Sequence, residues 1–277
     1  MMQQTAHKKA AALAFTIIAL TSSAAEVKLE HDASWQLEFP DLSDTLATMT
    51  TGKKQPARLT VRLPANYSRE GKFPLFVFLN GGDGGRGDTL PLDRKTVGSN
   101  DFICVNLPLF KRAFDKSDGG LVSVDDFDTV CRAHRVMLQK LLDTIPNITP
   151  ERSTLGGFSN GAHTTALLLA GQDEFTMRHF RAFYFVEGGT PLAANVLHRA
   201  AMKRYRFLLM RGDQSEPQTE GKAFTHVTQA LEYLAKEHDL DFTFITMRHT
   251  GHDLPLKYQL LLGQWVRGEK IPEIEER

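Results

Sequence analysis

The chain has 277 residues, of which 42% are hydrophobic and 24% are charged. This composition is typical of a globular protein with a sizeable core. The 33 basic and 33 acidic residues cancel to a formal net charge of zero. Because nucleic acids and anionic membrane surfaces attract proteins with a basic excess, neither is expected as the main partner.

The first 25 residues have the order of a secretory signal. Lys8 and Lys9 precede an apolar stretch over residues 10–20, and small residues follow. The apolar stretch is about half as long as a membrane-spanning helix requires, so we predict a cleaved signal peptide and no stable membrane anchor. Cleavage is expected after Ala24 or Ala25, and we take residues 26–277 as the secreted or periplasmic domain.

Four apolar patterns predict strands in the first part of this domain. Loose alternation over residues 27–39 indicates an edge strand, and clearer alternation over residues 57–63 indicates a second strand. Residues 73–79 and 101–109 are nearly continuous apolar runs. Such runs are typical of strands that are covered on both faces, as in a mostly parallel sheet.

The rest of the chain alternates between helical and strand patterns without a linker or repeat. The predicted elements are a helix over 124–145, a strand over 152–158, a helix over 162–170, strands over 180–186 and 205–210, a helix over 224–237, a strand over 242–247 and a closing helix over 256–266. This alternation predicts a single α/β domain with a mostly parallel sheet and helices on both faces. Glycine or polar residues end most strands, so functional residues should collect at one sheet edge.

One short motif between a strand and a helix indicates a nucleophile. Residues 157–161 read Gly-Phe-Ser-Asn-Gly and fit the G-x-S-x-G elbow, in which a strained turn exposes the serine. A serine hydroxyl is a weak nucleophile and needs a nearby base that a carboxylate orients. Two histidines lie between the last strand and the last helix, and His252, which follows a glycine, is preferred over His249 as the base for Ser159.

Three motifs together resemble the α/β-hydrolase superfamily. They occur in the same order as in that superfamily and read Leu-Asn-Gly-Gly at 79–82, Gly-Phe-Ser-Asn-Gly at 157–161 and Gly-His-Asp-Leu-Pro at 251–255. The chain is similar to exported esterases of the acetylxylan, feruloyl and polyhydroxybutyrate-depolymerase kinds over roughly residues 57–268. The resemblance implies an α/β-hydrolase domain, a Ser-His-acid triad without metal or cofactor, and a small-molecule or polymer-linked ester as substrate.

The resemblance also implies an oxyanion hole. In acyl transfer, backbone donors stabilise the negative charge that develops on the attacked carbonyl oxygen. One donor should be the N–H of Asn160, directly after the nucleophile. The other should come from the turn at residues 80–82, with Gly82 preferred.

The sequence after Gly212, where the acid of the triad is expected, departs from the usual pattern. Relatives place an aspartate three or four residues after the glycine that ends the strand before the acid loop. After Gly212, these spacings fall on Ser215 and Glu216, whereas Asp213 comes earlier. Glu216 is therefore the first choice and Asp213 the second. Glu187, after the preceding strand, is the third, because some hydrolases use that loop.

The preferred function is a secreted serine esterase that acts on carboxylic esters, with polysaccharide-linked or polymeric esters as candidate substrates. A serine peptidase or an acyltransferase would use the same catalytic parts. A non-catalytic binding protein of the same fold stays open if the acid is missing.

The two cysteines, Cys104 and Cys131, would have the opportunity to pair after export. Because one lies in a strand-like run and the other in a helical run, two buried free thiols are preferred.

Overall fold

The computed structural model describes residues 29–42, 47–48, 57–81, 96–111, 127–215 and 221–271. The expected signal segment 1–25 lies outside these ranges, as do Gly82 and Glu216. Within the described ranges, no helix combines the length and the apolar character needed to cross a bilayer.

Ten strands are described, and eight of them form the central sheet. The strands are β1 (Ser34–Phe39), β2 (Ala47–Thr48), β3 (Ala57–Arg62), β4 (Phe73–Leu79), β5 (Ile103–Leu107), β6 (Phe110–Lys111), β7 (Ile148–Phe158), β8 (Ala182–Val186), β9 (Arg206–Gly212) and β10 (Asp241–Met247). The sheet order is β1-β3-β5-β4-β7-β8-β9-β10, and β2 pairs separately with β6. Only β3 pairs antiparallel within the described sheet, with β1 and β5. All pairs from β5 to β10 are parallel.

Helices cover both faces of this sheet. They are α1 (Phe127–Thr144), α2 (Asn160–Ala170), α3 (Glu174–His179), α4 (Thr190–Leu197), α5 (Gly221–Glu237) and α6 (Leu256–Arg267). Successive side chains of a strand point to opposite faces. Accordingly, Phe183 of β8 packs in the core that contains α1 and α2 residues, whereas Tyr184 packs with Tyr258 and Trp265 of α6. The predicted mostly parallel α/β architecture is confirmed.

The buried strands match the apolar runs of the sequence. All seven residues of β4 and all five of β5 are buried, because helices cover each face. Strand β7 begins at Ile148, four residues before the predicted start, and its pairing with β4 is irregular between Pro74 and Phe76. This irregularity accommodates Arg152, whose φ is 63°.

The two cysteines are buried and free, as predicted. Cys104 lies in the core on the α6 side of the sheet, and Cys131 lies in the core on the opposite side. The sheet therefore separates the two thiols.

Candidate active site

Ser159 occupies a strained turn between β7 and α2. Its backbone has φ 52° and ψ −117°, a conformation that is costly for any residue with a side chain. The Ser159 N–H donates to the Val186 carbonyl at 2.8 Å, and the Ser159 carbonyl accepts from the His163 N–H at 3.0 Å. The hydroxyl does not cap helix α2. The turn is thus held by backbone hydrogen bonds, as expected of a nucleophile elbow.

Glycines allow this turn to pack against the end of β4. A Cβ atom at Gly157 would lie 2.5 Å from the Leu79 carbonyl oxygen, and one at Gly161 would lie 2.1 Å from the same oxygen. A Cβ atom at Gly81 would lie 3.0 Å from the Ser159 Cβ. Gly81, two residues after the end of β4, therefore lies directly beside the serine.

The expected donors of the oxyanion hole come from the start of α2 and from the residues after β4. Asn160 is the first residue of α2, and the first N–H groups of a helix have no carbonyl acceptor within that helix. The N-terminal end of a helix also favours negative charge. Gly81 lies next to Ser159, and Gly82, the expected second donor, lies outside the described residues.

Glu187 is the carboxylate that the structure places beside His252. It follows β8 directly with φ 55°, and its side chain is only 2% exposed. Its Oε2 atom lies 3.4 Å from Nδ1 of His252. The carboxylate also accepts hydrogen bonds from the Gly212 N–H and, at 2.5 Å, from the Ser215 hydroxyl. Of the two candidate acids that the structure describes, Glu187, our third choice, is thus the one that contacts the imidazole.

Asp213, our second choice for the acid, contacts the backbone of the loop that carries His252. Its Oδ1 atom accepts from the Thr250 N–H at 3.2 Å. Desolvation acts to raise the pKa of Asp213, but the backbone hydrogen bonds from His249 and Thr250 outweigh it, and the pKa is lowered. Asp213 therefore braces the loop backbone and not the imidazole. Our first choice, Glu216, lies outside the described residues.

The imidazole of His252 lies at the nucleophile's end of β7. Its ring centroid is 4.9 Å from that of Phe158, the residue before the serine. The His252 side chain is 53% exposed, so the imidazole is partly open to solvent beside the Phe158 ring. Ser159, Glu187 and His252 follow β7, β8 and β10, at the edge where the parallel strands end.

No family model and no curated protein matches the sequence. Solved structures do match the fold. The chain superimposes on a putative dipeptidyl aminopeptidase IV from Bacteroides ovatus with a TM-score of 0.54 at 14% identity, covering 85% of this chain but only 35% of that one. The ferulic acid esterase of Anaeromyces mucronatus gives a TM-score of 0.53 at 14% identity, with 86% and 92% covered.

A third structure is the S-formylglutathione hydrolase from Agrobacterium tumefaciens, with a TM-score of 0.51 at 11% identity and 85% and 92% covered. The likeness to the ferulic acid esterase and to the S-formylglutathione hydrolase extends over nearly the whole length of each. Together with the strand order and the serine turn, it shows that this chain has the α/β-hydrolase fold.

Proposed function

We propose that the protein is a serine hydrolase that cleaves carboxylic esters. The observation that carries this proposal is the buried Glu187 carboxylate 3.4 Å from Nδ1 of His252. This pair lies at the same sheet edge as the strained Ser159 turn. In the proposal, Ser159 is the nucleophile, His252 the general base and Glu187 the acid of the triad.

Acylation begins when Ser159 Oγ attacks the ester carbonyl carbon and His252 Nε2 takes the hydroxyl proton. Glu187 accepts the hydrogen bond from Nδ1–H and so orients and stabilises the imidazolium that forms. The carbonyl oxygen becomes negative and is held by the N–H groups of Asn160 and Gly82. The intermediate then expels the alcohol, which takes its proton from His252, and an acyl-serine remains.

Deacylation repeats these steps with water. His252 takes a proton from the water as it attacks the acyl carbon, and a second tetrahedral intermediate forms. When this intermediate collapses, the Ser159 oxygen leaves and receives the proton from His252. The products are the free carboxylic acid and the original enzyme.

The substrate class follows from the fold and from one structural neighbour. The ferulic acid esterase of Anaeromyces mucronatus shares the fold over 92% of its length, and the motifs resemble those of exported esterases. We therefore propose a carboxylic ester, linked to a polysaccharide or polymer or carried by a small molecule. The non-catalytic alternative depended on a missing acid, and Glu187 supplies a carboxylate at the imidazole.

The experiment is hydrolysis of short p-nitrophenyl esters and the matching anilides by the wild type and by Ser159→Ala. Ser99→Ala is the matched control, because Ser99 is exposed and its hydroxyl donates to the side chain of the neighbouring Asn100. We expect ester cleavage that Ser159→Ala abolishes and Ser99→Ala retains. Ester cleavage that survives in Ser159→Ala would disprove the proposal, and cleavage of anilides alone would favour a peptidase.

We also propose that the protein is exported and loses residues 1–25. The support is the order of charged, apolar and small residues in this segment. Mass spectrometry of the protein expressed with its full N-terminus would give the cleavage position, which we expect after Ala24 or Ala25. Recovery of the intact N-terminus from the cytoplasm would contradict this.

A further inference from the structure

The turn after β9 contacts both oxygens of the Glu187 carboxylate. The Gly212 N–H donates to Oε1, and the Ser215 hydroxyl donates to Oε2 at 2.5 Å. Oε2 is also the atom that lies 3.4 Å from Nδ1 of His252. Ser215 and His252 therefore share one oxygen of the carboxylate.

These contacts determine where the carboxylate can point. A glutamate side chain has three rotatable bonds, and fixing it in one rotamer costs conformational entropy. With only the Gly212 bond, the carboxylate could pivot about Oε1. The Ser215 bond removes this freedom, because it fixes Oε2 on the side of the imidazole. A buried carboxylate also needs hydrogen-bond donors to remain charged.

The same turn is bonded to the loop that carries His252. The Gln214 N–H donates to the Thr250 carbonyl at 2.9 Å, and the Asp213 N–H donates to the Met247 carbonyl at 3.1 Å. Gly212 packs so closely on this loop that a Cβ atom there would lie 2.2 Å from the Thr250 oxygen. The turn after β9 therefore fixes the Glu187 carboxylate relative to the loop that carries His252.

We propose that Ser215 is a positioning residue for the reaction. Its hydroxyl holds Glu187 Oε2 where that atom accepts the Nδ1 proton of His252, and so keeps the imidazole oriented towards Ser159. This inference rests on the proposed function, in which Glu187 is the acid of the triad. In this role Ser215 acts through Glu187 and takes no part in the proton transfers.

The first test compares Ser215→Ala, which loses the hydroxyl, with Ser215→Thr, which keeps it. We expect Ser215→Ala to lower kcat about 10–100-fold, by analogy with the loss of a hydrogen-bond partner that orients a metal-ligating side chain. KM should change little, because substrate contacts are retained. Ser215→Thr should recover most of kcat. A Ser215→Ala enzyme with wild-type kcat would disprove the proposal.

Ser153→Ala is the matched control. Ser153 is fully buried, accepts from the Leu75 N–H at 2.8 Å and donates to the Thr149 carbonyl at 2.6 Å. Its loss removes a buried hydroxyl far from the carboxyl edge. The variant should unfold at a lower temperature yet keep kcat, and an equal loss of kcat in Ser153→Ala would show that Ser215 acts only through stability.

The second test does not depend on activity. Proton NMR of the wild type should show a strongly downfield, slowly exchanging Nδ1 proton of His252, which Glu187→Gln removes. In Ser215→Ala, this resonance should shift upfield and exchange faster with water. An unchanged resonance would disprove the role of Ser215 even in a protein without esterase activity. Absence of ester hydrolysis in the wild type would instead disprove the proposed function.

Discussion

Oε2 of Glu187 lies 3.4 Å from Nδ1 of His252, although the two residues follow strands that are not neighbours. Glu187 follows β8 and His252 follows β10, and β9 lies between them in the sheet. The turn at the end of β9 is therefore the element that can contact both residues. This topology explains why Gly212 and Ser215 contact the carboxylate while Asp213 contacts the histidine loop.

The choice of acid can be decided by substitution. We expect Glu187→Gln to lower kcat by about 10³–10⁴-fold, the scale seen when a triad carboxylate becomes an amide. The amide keeps the size of the side chain but does not stabilise the imidazolium. The measurement is steady-state hydrolysis of a short p-nitrophenyl ester.

Asp213→Asn and Glu216→Gln are the matched controls for the acid. Both remove one carboxylate charge from the β9 loop region, and both should retain most of the wild-type kcat. If either control loses activity to the same extent while Glu187→Gln does not, the assignment of Glu187 is wrong.

Asp213 makes stability depend on pH in a defined direction. Its pKa is lowered in the folded protein: desolvation opposes the shift, and hydrogen bonds from His249 and Thr250 outweigh it. A lowered folded-state pKa stabilises the protein above the unfolded-state pKa of about 4. This stabilisation is lost as the pH falls through the lower folded-state pKa.

The test is thermal unfolding of the wild type and Asp213→Asn from neutral pH to below about pH 4. The wild type should have the higher midpoint at neutral pH, and the difference should shrink as the acid is protonated. A difference that grows on acidification would contradict the expected sign.

Part of the site could be anticipated from local patterns. The apolar run of β4 predicted its bounds because both faces of that strand are covered. Because Ser159 and His252 each follow a predicted strand and precede a predicted helix, the sequence predicted that both lie at one sheet edge, and both strands do end at that edge. These features depend on residues that are close in the sequence.

The acid and the short helices could not be anticipated in this way. How the loops after different strands pack together decides which of Glu187, Asp213 and Glu216 reaches the imidazole. The residue spacing within a single loop does not predict that packing. Helices α3 and α4 have six and eight residues, too few for a clear apolar period. Their local signals are the Asp173 cap and the proline in the first turn of α4.

The elbow glycines should not tolerate a side chain. In Gly161→Ala, the new Cβ would lie 2.1 Å from the carbonyl oxygen and 2.6 Å from the carbonyl carbon of Leu79. Because these are backbone atoms of a buried central strand, the turn must shift. We expect a loss of stability of about 3 kcal/mol or more, together with a large loss of kcat.

Gly251→Ala is the matched control for stability. Its new Cβ would meet only the Gln214 oxygen, at 3.7 Å, which is ordinary van der Waals contact. Denaturant unfolding should therefore show a near-wild-type midpoint for this variant. Equal midpoints for Gly161→Ala and the wild type would contradict the packing argument.

The buried thiol of Cys131 should be inert in the folded protein. Desolvation, together with the nearby charge of Asp173, raises the pKa of Cys131 to about 12. The thiolate is the reactive form, so at about pH 8 only about one molecule in 10⁴ carries it. Cys104 is also buried, on the other side of the sheet.

Labelling with a disulfide reagent tests this prediction. The native protein should react slowly, and both thiols should react at once in guanidinium chloride. The Cys104→Ser variant isolates Cys131. If opening of the structure limits the reaction, the labelling rate should become independent of reagent concentration at high reagent concentration. The opening step, and not collision with the reagent, then sets the rate. Rapid labelling of native Cys131 would show that α1 opens readily and that the core on its side of the sheet is less tightly packed than the structure shows.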